Sequence, residues 1–238
     1  MDVESKIILG KEVQKIDYTS DSIVVKCSDG SVFEADNVIV TVSLGVLKER
    51  HDTIFKPSLP AFKVEAIKGL SFGTVDKIFL EFEKPFWNED WSGFSILWTE
   101  KDLKEMRDKG KGWMTDIFGF YKVDFMDNIL CGWIGGPSAR TMETCDDKTV
   151  MDACLYIFER FLTKQIQWTT PINVLRSTWH SNPHFRGSYS FRSLTTDALK
   201  TSASELAKPI FNKFNKPQIL FAGEATSDHY YSTVHGGT

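Results

Sequence analysis

A lysine stands in the middle of the run Thr74 to Phe82, TVDKIFLEF. By the period of two, Lys77 shares a face with Val75 and Phe79. An ammonium among apolar neighbours is costly unless it is paired or hydrated. Lys77 therefore reads either as a paired or hydrated lysine or as a surface lysine on an edge strand, with Glu81 beside it. Glu224 follows the apolar run Gln218 to Phe221 and a glycine. A ligand crevice can open at such a strand end, where a carboxylate can accept hydrogen bonds from sugar-type hydroxyls. A helix cap or a solvated side chain is the plainer use. Ser232, Thr233 and Val234 precede His235-Gly236. A helix starting there would turn backbone N–H groups outward and favour negative charge; an ordinary strand-to-helix loop is the alternative. Trp179 and Tyr189 bracket the stretch WHSNPHFRGSY. Packing in a core is the plain use of such rings, and an electron-rich ring can also hold a cation.

Other chemistries lack their patterns. The four cysteines, Cys27, Cys131, Cys145 and Cys154, form no C-x-x-C pair and no disulfide framework. The five histidines (51, 180, 184, 229, 235) give no metal set, because Pro183 breaks the helix that would pair His180 with His184. Serine, histidine and aspartate occur without a nucleophile elbow, and YKVDFMDN lacks calcium-loop spacing. A net charge of -4 leaves no footprint for nucleic acid. No apolar run reaches about 18 residues, so no membrane partner is expected, and Met-Asp-Val-Glu-Ser-Lys is not a signal peptide.

The elements that must position these residues mix strands and helices. Residues 6–42 read as a β-meander: one apolar-rich run from Ile7 to Ile16, a second at Ile23–Val25, a hairpin signal at Asp29-Gly30, and a third run from Val32 to Ala35. Val38 to Val42 is a short continuous apolar run, typical of a strand buried on both faces, and a turn-prone Ser-Leu-Gly follows. Residues 61–70 fit a helix after Pro60, with Val64, Ile67 and Leu70 on one side. Residues 84–100 are an aromatic-rich loop and 101–111 a charged, solvated run. Strands are expected at 113–121, 128–134, Pro171 to Trp179 and Gln218 to Gly223, a helix from Thr149 to Lys164, and weak helix from Leu206 to Phe214. With no regular βαβ series, the class is α/β to α+β. No G-x-G-x-x-G phosphate loop is present.

Four segments in order, VIVTVSLGVLK (38–48), FGTVDKIFLEF (72–82) with PFW (85–87), WHSNPHFRGSYS (179–190) and FAGEATSDHYYSTVHGG (221–237), resemble the flavin-containing amine oxidases. The resemblance spans essentially the whole chain and is most like the C-terminal portion of spermine and polyamine oxidases. It implies part of a FAD-binding domain at 1–45, a mixed-sheet substrate domain flanked by helices at 46–175, and the returning FAD domain at 176–238. The family's phosphate-binding βαβ unit would lie before Met1, and its long helix beyond Thr238.

By the same resemblance, Glu224, Thr233, Val234, Trp179 and Val13 bind FAD. Lys77 is the candidate catalytic residue, holding a water at the flavin, and Tyr189, Ser232 and Thr233 line the amine site. No metal is implied. Ser188 stands where monoamine oxidases carry the cysteine that links to flavin, so FAD is expected to be non-covalent. The activity implied is hydride transfer from the amine α-carbon to flavin N5, imine hydrolysis to an aldehyde and a shorter amine, and reduction of O2 to H2O2. The flavin carries the hard chemistry and the protein orients the amine. A cytoplasmic location is expected, with peroxisome or nucleus as alternatives. Two other readings stand beside this one. The 238 residues could be an inactive fragment or a non-oxidising amine-binding protein, or the parent could be a histone-demethylase-type relative.

Overall fold

The structure is a computed structural model and describes residues 3–237. The chain forms two compact units, Met1–Phe72 with Tyr189–Thr238, and Gly73–Ser188. The changes of unit fall at 72/73 and 188/189, whereas the family-based division sets its domain changes at 45/46 and 175/176. The first unit reaches further because the helices Leu44–Ile54 and Ala61–Gly69 bury Leu44, Leu47, Ala66 and Ile67 in the same core as Ile16 and Ile23.

The first unit contains the expected hairpin. Strands Val13–Asp17, Ile23–Cys27 and Val32–Ala35 pair antiparallel in sequence, and Phe55–Lys56 adds a parallel edge. The turn before Val32 uses Gly30 at φ 85, a conformation that favours glycine. The apolar run from Ile7 does not extend the first strand: Ile7, Ile8 and Leu9 are exposed. A three-stranded sheet runs Ile210–Phe211, Pro217–Phe221, Val38–Val40, with the last two strands parallel. Val38–Val40 is thus an edge strand, and Ile39 is 63% exposed, against the expectation of burial on both faces. A continuous apolar run reports composition and does not report how many neighbours the sheet supplies. Ser43-Leu44-Gly45 is a helix start and not a turn; the Ser43 side chain accepts a hydrogen bond from Val46 N. The Leu206 to Phe214 segment is not helical as a whole. A short helix, Ala203–Ala207, ends before Pro209, and Ile210–Phe211 joins the sheet.

One lysine is part of this core. Lys63, fully buried, donates to the carbonyls of Glu205 (2.9 Å), Leu206 (2.6 Å) and Lys208 (2.6 Å). Its Nζ lies 4.3 Å from the centre of the Phe221 ring. It closes the C-terminal end of Ala203–Ala207 onto the strand that leads to Glu224.

The second unit is a five-stranded sheet in the order Asn173–Arg176, Val75–Glu81, Met126–Gly135, Ile117–Val123, Gly93–Ser95. Its strands pair antiparallel. Helix Asp147–Phe161 covers it, capped by Asp146, whose side chain accepts from Thr149 N. The charged run, read as a solvated face or loop, is the solvated face of a helix, Glu100–Asp108: Thr99 caps it, and Met106 and Asp102 are buried on its inner side. The aromatic-rich segment is core. Phe158 meets the rings of Phe82, Phe86, Phe94, Phe120 and Trp168 at centroid distances of 6.4, 6.4, 5.6, 5.0 and 5.5 Å. Rings at such spacings stabilise one another beyond their area burial.

Candidate active site

In the first unit the site residues gather around one carboxylate. Strand Pro217–Phe221 ends, Gly223 takes φ 137, and Glu224 begins a single 3-10 turn. Glu224 Oε1 accepts from Ser190 N (3.0 Å), and Oε2 accepts from Ser190 Oγ (2.8 Å) and Ser232 N (2.7 Å). Ser232, at φ 63, returns its own hydroxyl to the Ser190 carbonyl. The carboxylate therefore pins two loops together, the one following Tyr189 and the one carrying 232–234. It is neither a helix cap nor a loose surface group.

The hydroxyl of Thr233 is spent within its own loop, donating to Tyr230 O (2.5 Å) and accepting from Gly236 N (3.2 Å). The helix expected at His235-Gly236 begins one residue earlier, as the short turn Val234–Gly237, with Val234 94% exposed. A Cβ on Gly223 would meet nothing within 4 Å. Open space thus borders Gly223, next to Glu224, and Val234 is exposed. Tyr189 presents a partly exposed ring on strand Tyr189–Phe191. Val13 sits in the other sheet of this unit, opposite Cys27, packed against the core. Among the described residues no hydrogen bond links it to the Glu224 loops.

In the second unit, Lys77 belongs to a strand flanked on both sides, and not to an edge. It is half-buried, opposite Trp133, with Nζ 4.5 Å from that ring's centre. Its backbone N donates to Ser177 Oγ (2.9 Å), and Ser177 N donates to Lys77 O (3.0 Å). Trp179 follows two residues on, its ring edge-on to Phe185 at 5.1 Å. The structure thus brings the Lys77 and Trp179 segments together. Ser188 both accepts from Val75 N (2.9 Å) and donates to Val75 O (2.8 Å).

Sequence reasoning missed a neighbour of Lys77. Asp76 is fully buried, its Oδ1 accepting from Ser177 Oγ (2.7 Å) and Trp179 N (3.3 Å). Its signal was legible in TVDKIFLEF: the alternation that gives Lys77 one face puts Asp76 on the other, with Ile78, Leu80 and Phe82, all fully buried.

These folds and loops define a class. Residues 2–238 match the family model described as flavin containing amine oxidoreductase, and the chain belongs to that family. FAD is accordingly its cofactor. The chain is 39% identical over 222 residues to the bovine protein named peroxisomal N(1)-acetyl-spermine/spermidine oxidase, covering 90% of this chain and 42% of that protein. The human protein of the same name is 41% identical over 221 residues, with the same coverage. Mouse lysine-specific histone demethylase 1B is 32% identical over 231 residues, covering 97% of this chain and 26% of that protein. The chain therefore spans less than half the length of these relatives. A solved putrescine oxidase, a double mutant redesigned in its cofactor binding, shares the fold. The TM-score is 0.71 at 18% identity, over 99% of this chain and 47% of that one.

Proposed function

We propose that the protein oxidises polyamines with non-covalently held FAD, the activity named in its mammalian relatives. The observation that carries the reading is the Glu224 clamp. It holds two loops on one carboxylate, beside open space, in the segment that most closely follows the family motif. Glu224, Thr233, Val234, Trp179 and Val13 would hold the cofactor, which supplies the two-electron acceptor for the amine α-carbon. Ser188, locked to both polar groups of Val75, offers no sulfur for a covalent link.

The chain's own groups bind and orient. Tyr189, with Ser232 and Thr233, would flank the amine. An electron-rich ring tolerates a cationic nitrogen before it loses its proton, and holding the nitrogen in place supplies much of the rate. Lys77 would hold a water and assist proton transfer. Lys77→Met is then expected to slow turnover by about 10²–10⁴-fold, the usual worth of a positioned acid or base, with the affinity for polyamine little changed. O2 is the second substrate and H2O2 the product. Location follows the bovine and human relatives, whose names place them in peroxisomes and favour that alternative over the cytoplasm.

The test is direct. FAD is added to the purified protein, flavin absorbance is followed through gel filtration, and peroxide is measured with spermine, N1-acetylspermine and a dimethyl-lysine peptide. Peroxide from a polyamine supports the proposal, and peroxide from the peptide alone moves the protein to the demethylase branch. A second reading is favoured by coverage of 42% of the relatives' length: the 238 residues by themselves fold without oxidising anything. A cooperatively folding, colourless product without turnover supports that reading.

A further inference from the structure

We propose that Asp76 and Glu143 share one proton, and that this acid pair is the positioning device for the segment 177–181 carrying Trp179. The claim about Trp179 rests on the oxidase reading above; the shared proton does not.

The geometry begins with four donors, one hydroxyl and three backbone N–H groups, from one short stretch of chain. Ser177 Oγ (2.7 Å) and Trp179 N (3.3 Å) reach Asp76 Oδ1, while His180 N (2.8 Å) and Ser181 N (2.6 Å) reach the two oxygens of Glu143. Asp76 comes from strand Val75–Glu81 and Glu143 from helix Gly136–Thr144. Successive backbone N–H groups, Trp179 N and then His180 N, reach first one carboxyl and then the other, which puts the two acids side by side. Yet Asp76 Oδ2 is buried with no donor. A buried carboxylate oxygen without a donor is expensive, and a like charge beside the fully buried Asp76 disfavours its ionised form further. A proton on Asp76 Oδ2, donated to Glu143, removes both penalties at once and leaves the negative charge on Glu143, where His180 N and Ser181 N stabilise it.

Among the described residues, no cation is ion-paired with Asp76 or Glu143, and Arg186, just after the segment, is turned to the Ser181 carbonyl. On helix Gly136–Thr144, Arg140 is turned to Thr74 Oγ1. On strand Asn173–Arg176, Arg176 is engaged by Asp147 and the Met142 carbonyl. Lys77 lies on the opposite face of its strand, over Trp133. Opposite Asp76 on strand Met126–Gly135 is Ile134, and the segment itself carries His180, whose Nδ1 is buried without a partner. Burial, reinforced by the facing Glu143, pushes the Asp76 carboxyl up to about 7. Burial also raises Glu143, but the hydrogen bonds from Asp76, Ser181 and His180 outweigh it and hold that carboxyl below its usual range. The proton thus sits on the aspartate side.

Such a pair fixes three successive backbone groups around Trp179, so the direction of its ring is set from behind. Infrared spectra of the full chain, taken at mildly acidic pH, are expected to show a protonated-carboxyl stretch. It should persist well above the ordinary aspartate range, disappear near neutral pH, and be absent in Asp76→Asn. Asparagine keeps the acceptor for Ser177 and offers its own N–H to Glu143. Asp76→Asn should therefore fold like wild type, whereas Asp76→Leu should be much less stable. The sign of the pH effect follows from linkage. Asp76 has a folded value of about 7 against an ordinary 3.8, so its stabilisation is complete below about 4 and lost as pH rises through 7. Wild type should therefore lose stability relative to Asp76→Asn across that window.

No such band in wild type, or an Asn variant as unstable as the Leu variant, overturns the shared proton. If the protein nevertheless binds flavin and oxidises polyamine, the oxidase reading survives that failure. If the band is present without flavin binding, the oxidase reading alone falls, and with it the role of Trp179.

Discussion

Lys63→Met should change the stability of the first unit in a way that depends on pH. The ammonium gives one hydrogen to each of three carbonyls, and only the contact to Leu206 O is fully buried. Methionine keeps the apolar stem and removes all three donors. The stranded Leu206 carbonyl costs about 1–3 kcal/mol, and the two partly wetted ones about 1 kcal/mol each, roughly 4 kcal/mol together.

Against this, burial lowers Lys63 from an ordinary 10.5 to about 8, with Glu205 opposing and Lys208 assisting. At 1.36 kcal/mol per pH unit, the charged form is disfavoured in the fold by about 3 kcal/mol. At neutral pH the variant is relieved of that cost, so its net loss is about 1 kcal/mol. A lysine whose folded value is depressed gains stability as pH rises from about 8 to 10.5, because the unfolded chain then binds the extra proton. The gap between wild type and variant should widen over that window by about 3 kcal/mol. Paired urea titrations followed by far-UV circular dichroism at stepped pH measure the gap directly, and the other lysines titrate equally in both proteins. A gap that stays constant or narrows would mean that the three carbonyls and the Phe221 ring hold the charge more strongly than burial opposes it, which would refute the reasoning.

Phe158→Ala removes the ring at the centre of the second unit's aromatic cluster and should cost about 3–5 kcal/mol; a urea midpoint within error of wild type would sink the assignment of those aromatics to a packed core. The thiols should divide by access: Cys27, Cys131 and Cys154 are buried, and burial pushes Cys131 up to about 11 and Cys154 to about 12. An aromatic disulfide reagent at neutral pH should therefore modify only the less buried Cys145 in the folded chain and all four in urea; fast labelling of Cys154 without unfolding would contradict that burial.

Strand Val75–Glu81 was legible because its side chains alternate, and helix Asp147–Phe161 because its apolar residues recur at helical spacing behind an aspartate cap. The hairpin at Gly30 was announced by its turn residues. The family motif singled out Glu224 and Ser232, which the fold joins by a hydrogen bond. Each of these signals is carried by residues close together in the chain.

Other features depend on partners far away in sequence. Val38–Val40 and Pro217–Phe221 are both apolar runs, yet one is an edge strand and the other central, because sheet order is set by pairing across about 180 residues. Lys63 could not be read as buried, since its three acceptors lie more than 140 residues downstream. The same holds for Asp76 and Glu143. Alternation placed Asp76 on the inner face, but only the approach of a helix and of the 177–181 segment gave that acid its partners. Local pattern fixes which way a side chain points; what it meets there is decided when the chain closes, and a buried charge takes its properties from what it meets.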